Sequence, residues 1–225
     1  MKKKLVIFGT GKIGEAVTYF FERDSEYDII SYVVDDNFIG NGTFMDKPVI
    51  PLSQMEQTFL KTDIFVFVAV GYQGMNSLRS MKVDFLRQKG YRFANYVSPF
   101  VKGNFTIGEN TIIMDGAMIQ PNAKFGNNVF VWGGAMIGHH AIIYDNCWLT
   151  GGCLIGGITK LGANTFVGLG AIVGHEVVIG EKCMLGAGSI ACKRLEAGTV
   201  LVEPNTEPHR LNSDQFTRMS SCFRV

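Results

Sequence analysis

From Val101 onward every sixth residue is apolar: Val101, Ile107, Ile113, Ile119, Phe125, Val131, Ile137, Ile143, Leu149, Ile155, Leu161, Val167, Val173, Ile179 and Leu185, fifteen in succession. The position two residues earlier is usually small, as at Thr111, Ala117, Ala123, Ala135, Ala141, Cys147, Cys153, Thr159, Thr165, Ala171 and Cys183. The position that follows is glycine in nine of the fifteen. This period fits neither the turn of an α-helix nor the simple alternation of a strand. It fits a solenoid of short parallel strands with a corner in every repeat, where the bulky side chain plugs the interior and glycine relieves the bend. Three faces close one coil of eighteen residues, so the stretch codes for about five coils stacked roughly 4.8 Å apart.

Before residue 100 the pattern is different. Leu5 to Phe8 reads as a strand that runs into Gly9, Gly11 and Gly14 and then a helix, the context that a nucleotide-binding glycine fingerprint requires. A second apolar run, Ile29 to Val34, ends in Asp35 and Asp36, where a carboxylate would meet a ribose or base. A third, Ile64 to Val70, runs into "GYQGMN", a glycine loop containing Gly71 that opens a helical stretch through Leu86. A fourth covers Tyr91 to Val97.

These runs predict a small parallel α/β domain, Rossmann-like, over residues 1–98, with its ligand crevice at the carboxyl ends of the strands. The solenoid then covers 99–195, and a capping loop with a polar tail covers 196–225. The fingerprint admits a mononucleotide-linked sugar, a redox dinucleotide or a structural remnant without ligand. Four strands make half of a full dinucleotide fold, and nothing downstream looks like a hydride-acceptor site, which favours the mononucleotide-linked sugar.

Charge and cysteine content narrow the picture. The formal net charge is +1, so the chain lacks the basic field of a nucleic-acid binder. The apolar run after "MKKK" is too short for a signal peptide, and "IFVFVAV" falls far short of the ~20 residues of a membrane span. Five cysteines, an odd number, fit a reducing compartment, so a cytoplasmic protein is expected. Cys147, Cys153 and Cys183 occupy the inward small position of the repeat and read as packing atoms rather than nucleophiles.

On these residues, 101 to 191 resemble the left-handed parallel β-helix of hexapeptide-repeat acyltransferases. With the front domain included, the chain is similar to bacterial sugar acyltransferases of the sialic-acid O-acetyltransferase and bacillosamine-precursor N-acetyltransferase type. Left-handedness is implied by the resemblance alone, since ordinary crossovers are right-handed. The resemblance also implies acetyl-CoA-dependent acetylation of an amino or hydroxyl group on a sugar, nucleotide-linked, for surface glycan biosynthesis. It implies a homotrimer with active sites between protomers and no metal. Gly9, Gly11, Asp35 and Asp36 match the family's nucleotide motif, and Lys12 and Gly71 belong to the same loops. The chain departs from the family at Lys12 and Ile13, where glycine followed by histidine is frequent.

The stretch "AMIGHHAIIYDN" carries the candidate chemistry. His139 lies two residues after the inward Ile137, at an outward corner, and the resemblance makes it the catalytic base. His140 stands where the family has a carboxylate, and a neutral imidazole does not stabilise an imidazolium as a carboxylate does. Asp145 at the following corner, or an acid from a neighbouring chain, is the candidate substitute. Gly157, one coil above His139, matches the glycine whose backbone N–H receives the oxyanion. Trp148 stands where the family has a histidine associated with the acyl thioester. Coenzyme A is expected along the upper coils, near Gly168, His175 and Gly186, with Lys193 or Arg194 at its phosphates.

Two other readings follow from the same column. His139 and His175 are 36 residues, or two coils, apart, which is about 9.6 Å of stacked strand. Trimeric β-helix carbonic anhydrases hold zinc with three histidines, two of them so spaced, but their third ligand is Gly180 here. The last reading is a non-catalytic sugar-binding trimer.

Overall fold

The computed structural model describes residues 2–219, so the end of the expected tail, residues 220–225, lies outside the described residues. The front unit contains β1 (Lys3–Phe8), α1 (Lys12–Asp24), β2 (Tyr27–Val34), β3 (Thr43–Phe44), β4 (Lys47–Pro51), α2 (Met55–Thr58), β5 (Ile64–Val68), α3 (Ser77–Gln88) and β6 (Arg92–Phe93). They form a six-stranded sheet in the order β3-β4-β2-β1-β5-β6. Leu5, Val6 and Ile7 of the central β1 are all fully buried, as a parallel strand covered on both faces must be. The sheet is nevertheless mixed, where an all-parallel one was expected. Met45 and Asp46 both have positive φ, 45° and 60°, and turn β3 back antiparallel onto β4 as a tight hairpin.

The fingerprint glycines bring strand and helix together. A Cβ on Gly14 would lie 2.4 Å from the Gly9 carbonyl oxygen, and one on Gly9 would lie 2.8 Å from that of Ala69. Only glycine permits either approach. Gly11 caps α1 with open space around its missing side chain.

The strand β7 (Tyr96–Val97) pairs in parallel with Ile112–Ile113, so the chain passes directly from the front unit into the solenoid. There the strands are two residues long and each pairs with the strand eighteen residues on, as in Met136↔Leu154, Ile142↔Lys160 and Trp148↔Phe166. The result is three parallel sheets of seven, five and four strands around one interior. That interior is the sixfold repeat itself: Ile113, Val131, Ile137, Leu149, Ile155, Leu161, Val167 and Leu185 are fully buried, with Ala, Cys and Thr filling the small positions. Several corners are turned by asparagine at positive φ, and Asn110, Asn128 and Asn146 form a ladder with 2.8 Å side-chain hydrogen bonds between successive coils.

The front unit covers part of the seven-stranded sheet. Ile112, Phe130 and Trp148 point outward from the prism, yet they are buried in a core shared with Phe67, Ala94 and Tyr96. At the centre of this junction lies Arg79, fully buried on α3. Its guanidinium donates to Asn128 Oδ1, the carbonyls of Gly71, Asn128 and Asn146, and Asn76 Oδ1, and lies over the rings of Phe130 and Trp148. These acceptors are all neutral, and burial pulls the Arg79 pKa down to about 9. A second tie is ionic: Arg23, in the last turn of α1, reaches Asp115 on the solenoid.

The repeat loosens at its end. Leu195 bridges to Ile179, where a regular coil would bring residue 197, and Val200–Leu201 adds a last strand to the seven-stranded sheet. Beyond it the chain is exposed through α4 (Ser213–Met219).

Candidate active site

Two places gather polar groups, one a pocket and the other an exposed edge. The first is a pocket of about 340 Å³ at the carboxyl ends of β1, β2 and β5. Gly9, Thr10 and Gly11 form one side, Asp35 and Phe38 another, and Leu78 and Lys82 of α3 close it. Lys82 forms an ion pair with Asp35. The N-terminus of α1 opens beside Gly11 with no side-chain cap, leaving backbone N–H groups for an anion.

Of the residues expected here, Gly9, Gly11 and Asp35 line the pocket. Lys12 does not: it starts α1 with its side chain turned away and paired with Glu15 at 2.8 Å. Asp36 is engaged elsewhere, its Oδ1 accepting the Ser53 N–H at 3.0 Å, and hydrogen bonding from the Ser53 side chain and then its backbone holds the Asp36 pKa below the usual carboxylate range. Gly71 gives its carbonyl to Arg79 and so serves the junction rather than the pocket. Phe38, Leu78 and Lys82 were missed. The helical spacing of Leu78 and Lys82 behind the second glycine loop was the available signal for the last two.

The second place is the edge of the prism between the five-stranded and four-stranded sheets. His139 follows the strand Met136–Ile137, and its backbone N–H donates to Gln120 Oε1 at 2.9 Å. A Cβ on Gly157 would lie 2.8 Å from His139 Nε2, so the exposed imidazole rests over the glycine one coil above. No partner takes the Gly157 N–H among the described residues. His140, in left-handed conformation at φ 57°, brings its Nδ1 within 3.2 Å of His139 Nδ1, and its Nε2 lies 3.2 Å from the Asn122 amide. His175, next in the column, sits with its ring centroid 5.8 Å from that of His139. This is shorter than the coil spacing that sequence alone supplied, because the missing side chain of Gly157 lets the His139 ring lie across that coil toward His175. His175 Nε2 also reaches Glu176 Oε1 at 3.3 Å.

Other expected site residues fall outside this edge. Asp145 is at the next corner, where its carboxylate accepts the Asn127 backbone N–H at 2.8 Å. Trp148 is buried in the junction, stacked on Phe130 with ring centroids 4.7 Å apart, and cannot line an open groove. Gly168 and Gly186 keep their N–H groups in the ladder, donating to Leu185 and Leu201. Lys193 and Arg194 are exposed on the shortened last corner, and Arg194 pairs with Glu196. Cys147 and Cys153 face the interior, and burial pushes both thiols up to about 12. Among the described residues no three His, Cys, Asp or Glu side chains form a group that could hold a metal ion. None of the described helices is long and apolar enough to cross a membrane.

Fold and edge together define a parallel β-helix with a histidine-bearing corner. Residues 104–139 match the family model described as bacterial transferase hexapeptide (six repeats). A comparison with curated proteins gives no match. Among solved structures, the acetyltransferase domain of PglB from Neisseria gonorrhoeae FA1090 superposes with a TM-score of 0.79 at 21% identity, covering 88% of this chain and 96% of that one. A point mutant of perosamine N-acetyltransferase from Caulobacter crescentus, in complex with CoA and GDP-perosamine, gives 0.74 at 22% identity over 88% and 92%. WeeI from Acinetobacter baumannii AYE gives 0.70 at 18% over 90% and 97%. These likenesses show the fold, a left-handed parallel β-helix carrying hexapeptide repeats.

Proposed function

We propose that the chain is an acetyl-CoA-dependent acetyltransferase acting on an amino group of a nucleotide-linked sugar, with a hydroxyl as the variant acceptor, in surface glycan biosynthesis. The observation that carries this is the exposed His139 imidazole lying over Gly157 on a rigid edge. Two structural neighbours support it, one named as an acetyltransferase domain in complex with acetyl coenzyme A and one as a perosamine N-acetyltransferase in complex with CoA and GDP-perosamine. The front unit, residues 1–98, serves as a Rossmann-like holder of the nucleotide, its diphosphate at the Gly9–Gly11 loop and α1 N-terminus. Residues 99–195 carry the chemistry, and 196–225 close the end.

In the reaction, His139 Nε2 accepts a proton from the acceptor amine as the nitrogen attacks the thioester carbonyl. For Nε2 to be free, His139 Nδ1–H donates to His140 Nδ1, which leaves the His140 proton on Nε2 and requires the Asn122 amide, whose nitrogen lies 3.2 Å from that Nε2, to flip so that its oxygen accepts. The Gly157 N–H, unclaimed by the ladder, receives the oxyanion. Holding both substrates on one edge supplies orientation without a covalent acyl-enzyme.

A homotrimer completes the cleft. The five-stranded sheet beside His139 presents an outward stripe of Met118, Met136, Leu154, Ile172 and Ile190, with Met118 63% and Ile190 58% exposed. Such a stripe is costly to leave in water and suits the wall of a second copy. The test is a thermal-shift panel of UDP-, dTDP-, GDP- and CDP-linked amino sugars, followed by thiol release from acetyl-CoA with the hits. Stabilisation by one class together with thiol release supports the enzyme. Stabilisation without thiol release would leave a sugar-binding trimer.

A further inference from the structure

We propose that His175, held by Glu176, is the general acid that protonates the departing thiolate of coenzyme A. The proposal rests on the reading of His139 as the base.

The repeat places Gly-His-His at 138–140 and Gly-His-Glu at 174–176 on one corner column. Gly157 lies between them, and the two rings approach to 5.8 Å between centroids, tilted by 59°. A small substrate group at the outer edge of the two rings would touch both imidazoles. Their surroundings differ. His139 has another imidazole as its neighbour at 3.2 Å, whereas His175 Nε2 lies within ion-pairing distance of the Glu176 carboxylate, at 3.3 Å. The Glu176 backbone is fixed by its N–H, which donates to the Gly157 carbonyl at 2.9 Å. A carboxylate favours the imidazolium, and a neutral imidazole does not. The other titratable side chains on this corner column are His140 and, one coil above His175, Lys193.

The step balances without a further reactant. The acceptor nitrogen forms a bond to the carbonyl carbon as its proton passes to His139. The carbon–sulfur bond then breaks with its electron pair on sulfur, and the sulfur takes the Nδ1 proton of the His175 imidazolium. The proton on His139 returns to His175 across the gap through one water. Amine and thioester thus become amide and thiol.

The test compares two leaving groups. Wild type, His175→Asn, Glu176→Gln and His139→Asn are assayed with acetyl-CoA and with an aryl acetyl thioester, whose thiolate departs unprotonated. With acetyl-CoA, turnover should fall about 100-fold in His175→Asn and about tenfold in Glu176→Gln, the range expected of a lost general acid. With the aryl thioester both losses should shrink to about threefold or less, while His139→Asn stays impaired with both donors. Equal losses for His175→Asn with the two thioesters, or no loss with acetyl-CoA, would overturn the proposal. If wild type transfers acetyl from neither donor, the acetyltransferase reading fails and this inference with it. Both side chains are more than half exposed, so unchanged melting of the variants separates chemistry from folding.

Discussion

The front pocket and the coil edge both lie at the ends of short parallel strands, yet they are held in different ways. The pocket depends on irregular features that occur once: a close glycine contact, an ion pair and a helix N-terminus. The edge depends on a repeat in which every coil supplies the same backbone position, so function resides in the side chains that break the repeat. His139, Gly157 and His175 differ along one column whose backbone is uniform. A solenoid therefore tolerates change outward and almost none inward, whereas the front unit is sensitive wherever strand meets helix.

The largest effect should come from breaking the repeat inward. Ile137 is fully buried, and Ile137→Asp would place an unpaired carboxylate in the prism at a cost above about 4 kcal/mol. Loss of the cooperative melt by circular dichroism is expected. Next comes the junction. Arg79→Met leaves buried carbonyl and amide oxygens without a donor, and about 3 kcal/mol of destabilisation is expected by urea denaturation.

Gly157→Ala probes the edge alone. The added methyl meets the His139 ring, which is free to swing outward, so the melting temperature should change by less than about 3 °C. Turnover should fall about 100-fold, because a displaced base is out of reach of the acceptor. The smallest effects sharpen the pocket. Asp35→Asn should raise the KM for the nucleotide-linked sugar about tenfold, the loss of one charge-assisted hydrogen bond, with the KM for acetyl-CoA unchanged. Lys12→Ala should leave both constants within about twofold, since its ion pair is exposed and outside the pocket.

Much of this architecture was legible because a solenoid writes its interior directly into the sequence. Ile113 to Leu185 and the three cysteines all point where the period placed them. The period gives direction relative to the prism axis and says nothing of what covers the outside. Trp148 reads as an outward residue and is buried because the front unit sits on it. Ring positions were hidden for a similar reason: coil spacing fixes backbones, while the approach of His139 to His175 depends on the absent side chain of Gly157. In the front unit the fingerprint announced Gly9 and Gly11. It was silent on the hairpin at Met45 and Asp46, whose strands are too short for a hydrophobic pattern. It also gave Asp36 and Lys12 to the ligand, when local hydrogen bonding and helix direction had already engaged both. Arg79 left no mark, since an arginine within a helix reads as surface until a second unit buries it.

The most direct test of the account is the rate of free thiol formation from saturating acetyl-CoA and a bound nucleotide-linked amino sugar, for wild type against His139→Asn. The account predicts a fall in kcat of about 100-fold or more, the usual contribution of a general base, with acetyl-CoA affinity and assembly retained. A variant turning over near the wild-type rate would contradict it.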